Sequence, residues 1–414
     1  MNNYSKIISN MEEKIKKFSE KISEGVSKKR RDFVFDMIYG LIASSSCFLS
    51  EISRSLKEDI TLKATEKRLS RNLEEFNNGK EENSVYEEVR NKIIFENYEN
   101  EIKNKIDENT VFCFDPGDIT KRYTKKFEGI DVIKDGSTGE FVPGYYMIEV
   151  AGLTKKEQLP IPVYTRVFSP KEEKFKSVNE EYLKAIEYLG KTYKKQGIYA
   201  LDRGFDDQKY FKKFADLELD FVIRMKKTRD VVNAESGIVE NIKKKANRVK
   251  MKWSYKYTDK KGIKPTAYTG YMKITIPSVE NKTFYLVVIK SEEFTKIVNK
   301  VYIRRWKIEE YFRFKKQQFG FEKELVRTLN SIRTLNVLLT IVIGFIAMFS
   351  DNQKQIQYLV VFEASESLRK NEEIVLVFYA IERGMKKIFT FNFNGVKNKK
   401  ENVRKPIEYQ MSLF

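Results

Sequence analysis

The sequence predicts a mixed α/β (α+β) chain, a mixed sheet flanked by helices and set between helical N- and C-terminal regions. Three observations predict it. From Ile7 to about Phe76, apolar residues recur at spacings of three and four between alternating charges, the period of amphipathic helices. From about Thr110 the texture changes to short runs rich in β-branched and aromatic residues, with helical segments between the later ones. Strands first, then helices between strands, indicate one central sheet. Between Lys243 and Lys264, Trp253, Tyr255 and Tyr257 alternate among cations, a period-two pattern of exposed β-structure placed before the last core strand.

Taken in order, Gly40 to Leu73 divides into two or three short helices with polar turns, and Lys63, Lys67, Arg68 and Arg71 fall late in it. A small bundle of helix-turn-helix type fits this pattern, and so does a charged bundle whose surface is merely basic. The core strands are VFCFD (Val111–Asp115), YYMIEVAGL (Tyr145–Leu153), IPVYTRVF (Ile161–Phe168), IYALD (Ile198–Asp202) and FVIRM (Phe221–Met225), with helices over 177–193 and 207–217. FYLVVIK (Phe284–Lys290) restores a core strand, and the chain is helical from Arg327 to about Ile388, with a basic tail. The expected domains are 1–105 (helical), 106–227 and 283–327 (the two parts of the core), 228–282 (basic, β-rich insertion) and 328–414 (helical).

At 414 residues, 41% of them hydrophobic, the chain can bury a large core in two or three domains. A net charge of +19 points to a polyanionic partner, with DNA, RNA and an anionic membrane surface as the candidates. Within Lys243–Lys264 ten basic residues stand against one acid, so this stretch could follow a nucleic-acid backbone and stack bases; a solvated basic hairpin is the plainer reading. No membrane role is expected. The longest apolar run, Asn336–Phe349, falls short of the roughly 20 residues a spanning helix needs and suits a buried helix. The N-terminus lacks a signal peptide's apolar segment. Cys47 and Cys113 lie in unrelated contexts, which supports neither a disulfide framework nor a zinc site and fits a reducing cytoplasm. The sequence contains no histidine. Histidine triads, bases and metal ligands are therefore excluded, and carboxylates holding a hard cation become the leading catalytic option.

Two strands end in aspartate alike: Asp115 before PGDITK and Asp202 before RGFDD. A carboxylate at the C-terminal end of a buried strand stands over the crevice where α/β sheets bind ligands. Such aspartates also cap turns, so each alone is weak. Asp115 is favoured because it directly ends the hydrophobic strand; Asp118, in the same motif beyond the turn read at Pro116-Gly117, is the alternative. The third carboxylate lies in YIRRWKIEEYFRFKK, read as one helix. At about 100° per residue, Tyr302, Arg305, Glu309 and Lys316 fall within roughly 60° of one another. A simple Arg305–Glu309 pair would be worth only about 0.2–0.5 kcal/mol.

The spacing of Tyr302, two residues, Arg305, three residues, Glu309, six residues, Lys316 resembles the Y-R-E-K signature of one group of bacterial insertion-sequence transposases. These are DDE enzymes with a ribonuclease H-like core. Asp115 in FCFDPGDITK and Asp202 in ALDRGFDD are similar to the two family aspartates, 87 residues apart and with 107 residues from Asp202 to Glu309. The longer interval matches the β-rich subdomain that the family inserts there. The resemblance spans Val111 to Phe319 by motif, and only Glu309, not Glu310, keeps the spacing.

The resemblance implies cut-and-paste transposition. The end is nicked, the 3′-hydroxyl attacks the opposite strand to form a hairpin as in relatives, and the reopened end is joined to target DNA. Asp115, Asp202 and Glu309 would hold two Mg²⁺, with Mn²⁺ able to substitute. Tyr302, Arg305 and Lys316 would bind DNA phosphate near the cleaved end. Arg203, Arg224, Trp253, Lys63, Lys67, Arg68 and Arg71 are further candidate DNA contacts. Partners would be the terminal inverted repeats and target DNA, bound by a homodimer on paired ends in the cytoplasm. Rival readings are a transposase-derived DNA-binding protein that does not cut, and a Mg²⁺-dependent nuclease of the same core.

Overall fold

A computed structural model of the chain describes residues 2–76, 89–124, 126–154, 159–194, 196–224, 226, 230–233, 239–241, 251–255, 268–275, 284–288, 298–352, 377–390, 392 and 395–396. The strands between 230 and 288 are described by backbone course alone. The chain divides into two units: Met1–Asn100, Lys126–Glu128 and Phe314–Phe414 in one, Glu101–Lys125 and Gly129–Arg313 in the other.

The first unit is helical. Its described helices are α1 (Asn2–Ile22), α2 (Lys28–Ser44), α3 (Leu49–Leu56), α4 (Leu62–Glu75), α5 (Val89–Ile102, whose last two residues belong to the other unit), Leu329–Asn352 and Val377–Thr390. Thr61 caps α4 by accepting the Ala64 N–H at 3.3 Å. At the other end Arg30 donates to the Glu75 carbonyl at 2.7 Å, meeting an orphan acceptor of the last turn. The apolar run at 336–349 extends into the 24-residue helix Leu329–Asn352, longer than the run alone suggested and long enough to cross a bilayer. It is nonetheless a core element. Ile332, Leu335, Leu338, Ile341 and Val342 are fully buried where it packs on α2 and α4. Each such side chain contributes about 1.5–3 kcal/mol by leaving water.

The second unit holds the sheet. Its strands are β1 (Val111–Thr120), β2 (Asp131–Lys134), β3 (Phe141–Leu153), β4 (Ile161–Phe168), β5 (Ile198–Leu201) and β6 (Phe221–Arg224). β3 pairs antiparallel with β1, β2 and β4. β1 then pairs parallel with β5, and β5 with β6. Parallel neighbours need crossovers. Val178–Tyr193 and Gln208–Asp216, the helices predicted there, supply them, capped by Ser177 and Asp207. Beyond β6 lie β11 (Phe284–Val288), β10 (Tyr268–Thr275), β9 (Met251–Tyr255), β7 (Asp230–Asn233) and β8 (Val239–Asn241), in that spatial order and all antiparallel. The result is the expected mixed sheet flanked by helices.

Val111 to Phe114 are buried without alternation, as befits a strand covered on both faces. Phe112 sits 5.3 Å from Tyr193 of the first crossover helix and 5.0 Å from Tyr199 of β5, ring centre to ring centre. The expected turn at Pro116-Gly117 is not there. β1 runs through it to Thr120, with Asp115 opposite Glu149, Pro116 opposite Ile148 and Gly117 opposite Met147. Past Cys113, among the described residues, only β3 pairs with β1, so the N–H that Pro116 lacks is tolerable at this edge.

Candidate active site

Asp115 and Asp118 are three apart on one strand, so they point to opposite faces of the sheet. Asp118 accepts the Gly136 N–H at 2.7 Å and thereby braces the loop after β2. Asp115 faces Arg305, its Oδ1 lying 3.8 Å from the guanidinium. The two candidate aspartates thus have different partners on opposite faces of the strand. Asp202 follows β5 and accepts the Gly204 N–H at 2.8 Å, capping a short 3₁₀ turn, Arg203–Phe205. Nearby Asp206, fully buried, accepts the Lys226 N–H at 2.7 Å and ties that turn to the end of β6.

The stretch Tyr302–Lys316 is not one helix. Val298–Arg304 and Lys307–Arg313 are α-helical, and Phe314–Gln318 is a π-turn. Between the α segments, the N–H groups of Arg305, Trp306, Ile308 and Glu309 bond to carbonyls three residues back. This tighter winding replaces the expected uniform 100° step. Arg305 and Tyr302 are buried at the junction, whereas Trp306 is exposed. The second segment docks through Phe312, whose ring would stand 3.1 Å from a Cβ placed on Gly117. A side chain there would crowd the Phe312 ring, so glycine suits this point of β1.

Arg305 is the hub. Its guanidinium lies 3.8 Å from Asp115 and 3.6 Å from Glu309, and it also feels the charge of Asp202 and the Tyr302 phenol. Burial opposes its charge, but those neighbours outweigh burial and raise its pKa. Tyr302 is also raised, chiefly by burial, against the opposing pull of Arg305 and Arg224. Its hydroxyl therefore keeps its proton. Glu310 pairs with Lys307 at 2.9 Å, leaving Glu309 as the acid of this pair that meets Arg305. Lys316 belongs to the helical unit and lies 3.2 Å from Glu322.

Two carboxylates, Asp115 and Glu309, thus flank one guanidinium, and Asp202 stands near enough for its charge to act on it. An all-oxygen donor set suits Mg²⁺, and the convergence of Asp115 and Glu309 on one point fits a shared cation. The fit is partial. Among the described residues no three acidic or sulfur side chains close to metal-ligand distances. In this arrangement Arg305 supplies the positive charge between Asp115 and Glu309.

Of the other candidate contacts, Arg203 is exposed beside Asp202, and Arg224 ends β6 close enough to act on Tyr302. Trp253 lies in β9, but its side chain is outside the described residues, as is most of Lys243–Lys264. On α4, Lys63, Lys67 and Arg71 are exposed at four-residue spacing and form one face. Arg68 leaves that face: it pairs with Asp36 and Glu58, each at 2.9 Å. Sequence reading missed Glu149 and Tyr311. Glu149 is fully buried opposite Asp115, and its carboxylate accepts from Thr165 at 2.6 Å and from Tyr311 at 2.8 Å. The one signal for it was a glutamate inside the apolar run YYMIEVAGL.

Residues 169–345 match the family model of the transposase DDE domain. The match takes in Asp202 and the Tyr302–Lys316 stretch; Asp115 lies upstream of it and joins through the parallel pairing of β1 with β5. No curated protein matches the chain. Solved structures do match, among them the cryo-EM structure of a piggyBac transposase synaptic complex with hairpin DNA. It has a TM-score of 0.47 and 13% identity, over 92% of this chain and 74% of that one. A superposition that partial decides neither fold nor activity. The family match, by contrast, supports a transposase, the same kind of enzyme that the spacing of Tyr302, Arg305, Glu309 and Lys316 resembles.

Proposed function

We propose that this chain is a DDE transposase that cuts and joins the ends of an insertion sequence by Mg²⁺-dependent phosphoryl transfer. The observation that carries the proposal is the convergence of Asp115, Asp202 and Glu309, from three separate elements, on the charge of Arg305. Asp115, Asp202 and Glu309 are the proposed ligands. When bound, two Mg²⁺ would supply Lewis acidity and neutralise charge on the entering and leaving oxygens. Arg305 offers a planar fork to a phosphate, and its present carboxylate contacts, beyond ordinary hydrogen-bond length, are weak enough to exchange for one. The protonated Tyr302 hydroxyl donates to the same phosphate, and Lys316 adds a point charge. Positioning and electrostatics then account for the rate, without a covalent enzyme intermediate. The proposed partners are terminal inverted repeats and target DNA, with a homodimer on paired ends, in the cytoplasm. End cleavage through a hairpin is part of the same proposal.

One observation favours a rival, a transposase-derived protein that binds ends without cutting: the carboxylates are not gathered at ligand distances among the described residues. Purified protein, DNA carrying the element's end and Mg²⁺ separate the two. Nicking by the wild type that Glu309→Gln abolishes is expected. No nicking by the wild type, or nicking that persists in Glu309→Gln, defeats the proposal.

A further inference from the structure

We infer that Glu149 is a positioning residue of this site, setting the distance between Glu309 and Asp115 through Tyr311. The inference rests on the phosphoryl-transfer reading above. Asp115, Glu149 and Thr165 occupy directly opposed positions on β1, β3 and β4, so their side chains rise from one face of the sheet in a row. The segment Lys307–Arg313 lies over that face. It is fastened at Tyr311, whose hydroxyl donates to Glu149 at 2.8 Å with both side chains fully buried. Six residues earlier, Arg305 reaches Asp115 only at 3.8 Å. Glu309 lies in the chain between the tight anchor and the loose one.

Placing a carboxylate directly opposite Asp115 is unfavourable for stability alone, because like charges across a strand pair repel. Two hydroxyl donors, Tyr311 and Thr165, offset part of the burial penalty of Glu149. Apolar side chains would fill the same place without that repulsion. What the carboxylate adds is direction: it fixes the rotamer of Tyr311, and with it the winding of the turn that presents Glu309. The Arg305 end stays free to rearrange when a cation or phosphate arrives, while the Tyr311 end does not move.

The test uses the full-length protein on end DNA, with three readouts: Mn²⁺ binding by electron paramagnetic resonance, end affinity in Ca²⁺, and nicking against metal concentration. Tyr311→Phe removes only the hydroxyl, and Glu149→Gln keeps the shape without the charge. Both are expected to weaken Mn²⁺ binding roughly ten-fold, as the loss of an outer-sphere partner does. The half-saturating metal concentration for nicking should rise in parallel, with end affinity in Ca²⁺ within about two-fold of wild type. Should Glu149→Gln not fold, Tyr311→Phe carries the test alone. A Tyr311→Phe protein that only melts earlier, with wild-type Mn²⁺ binding and metal dependence, overturns the positioning role and leaves the reading of the site intact. A wild type that neither binds Mn²⁺ nor nicks overturns both.

Discussion

Two arginines, one in each unit, sit between pairs of carboxylates, and they do so in opposite ways. Arg68 of the helical unit meets Asp36 and Glu58 at 2.9 Å each, and Asp36 is buried. Arg305 of the sheet unit is the more enclosed of the two, its side chain 10% exposed against 30%, yet it stands 3.8 and 3.6 Å from its acids, and Glu309 is 57% exposed. The first arrangement joins α2, the loop before α4 and α4 itself at close hydrogen-bonding distance. The second holds its cation beside two carboxylates at longer range, with the Tyr302 hydroxyl as a hydrogen-bond partner. Burial of charge is costly unless hydrogen bonds compensate, and the longer carboxylate contacts of Arg305 are what the proposed phosphate role would exploit.

That contrast can be broken by exchanging alanine for each arginine. Arg68→Ala strands the buried Asp36 and is expected to lower unfolding free energy by about 3 kcal/mol, read from urea denaturation. Arg305→Ala is expected to cost about 1 kcal/mol or less, because Asp115 and Glu309 remain in reach of water, while end nicking is lost. Equal destabilisation would erase the distinction between clamp and site. A smaller effect sharpens the roles within the helical unit. Lys63→Ala, Lys67→Ala and Arg71→Ala combined should weaken end binding and flatten its salt dependence by about one power of salt concentration for each cation that pairs with a phosphate. Stability should be unchanged. An unchanged salt slope would remove this face of α4 from the DNA-binding surface.

Much of the fold was legible because the core strands are continuous apolar runs and the crossover helices carry caps, Ser177 and Asp207. The rest depended on partners distant in sequence. Pro116-Gly117 reads locally as a turn, and only the register against β3 keeps it in a strand. β2 escaped notice because Ile133 alone of its four residues is buried. Residues 302–316 contain no proline or glycine, so the tight junction at Arg305-Trp306 could not be read from them; docking of Phe312 and Tyr311 on the sheet accompanies it. Of the proposed ligands, Asp115 and Asp202 stood out as strand ends and Glu309 by its spacing. Glu149 was hidden because a lone acid in an apolar run has meaning only once its neighbours across the sheet are known.

The choice between the two aspartates of β1 puts the account most directly at risk. Metal-dependent nicking of end DNA should be measured for Asp115→Asn and Asp118→Asn side by side. If Asp115 shares a site with Glu309, Asp115→Asn abolishes nicking while still binding the DNA end. Asp118→Asn, whose amide oxygen can still accept the Gly136 N–H, keeps nicking within a few-fold of wild type. The reverse pattern, or nicking by both, would contradict a site built from Asp115, Asp202 and Glu309.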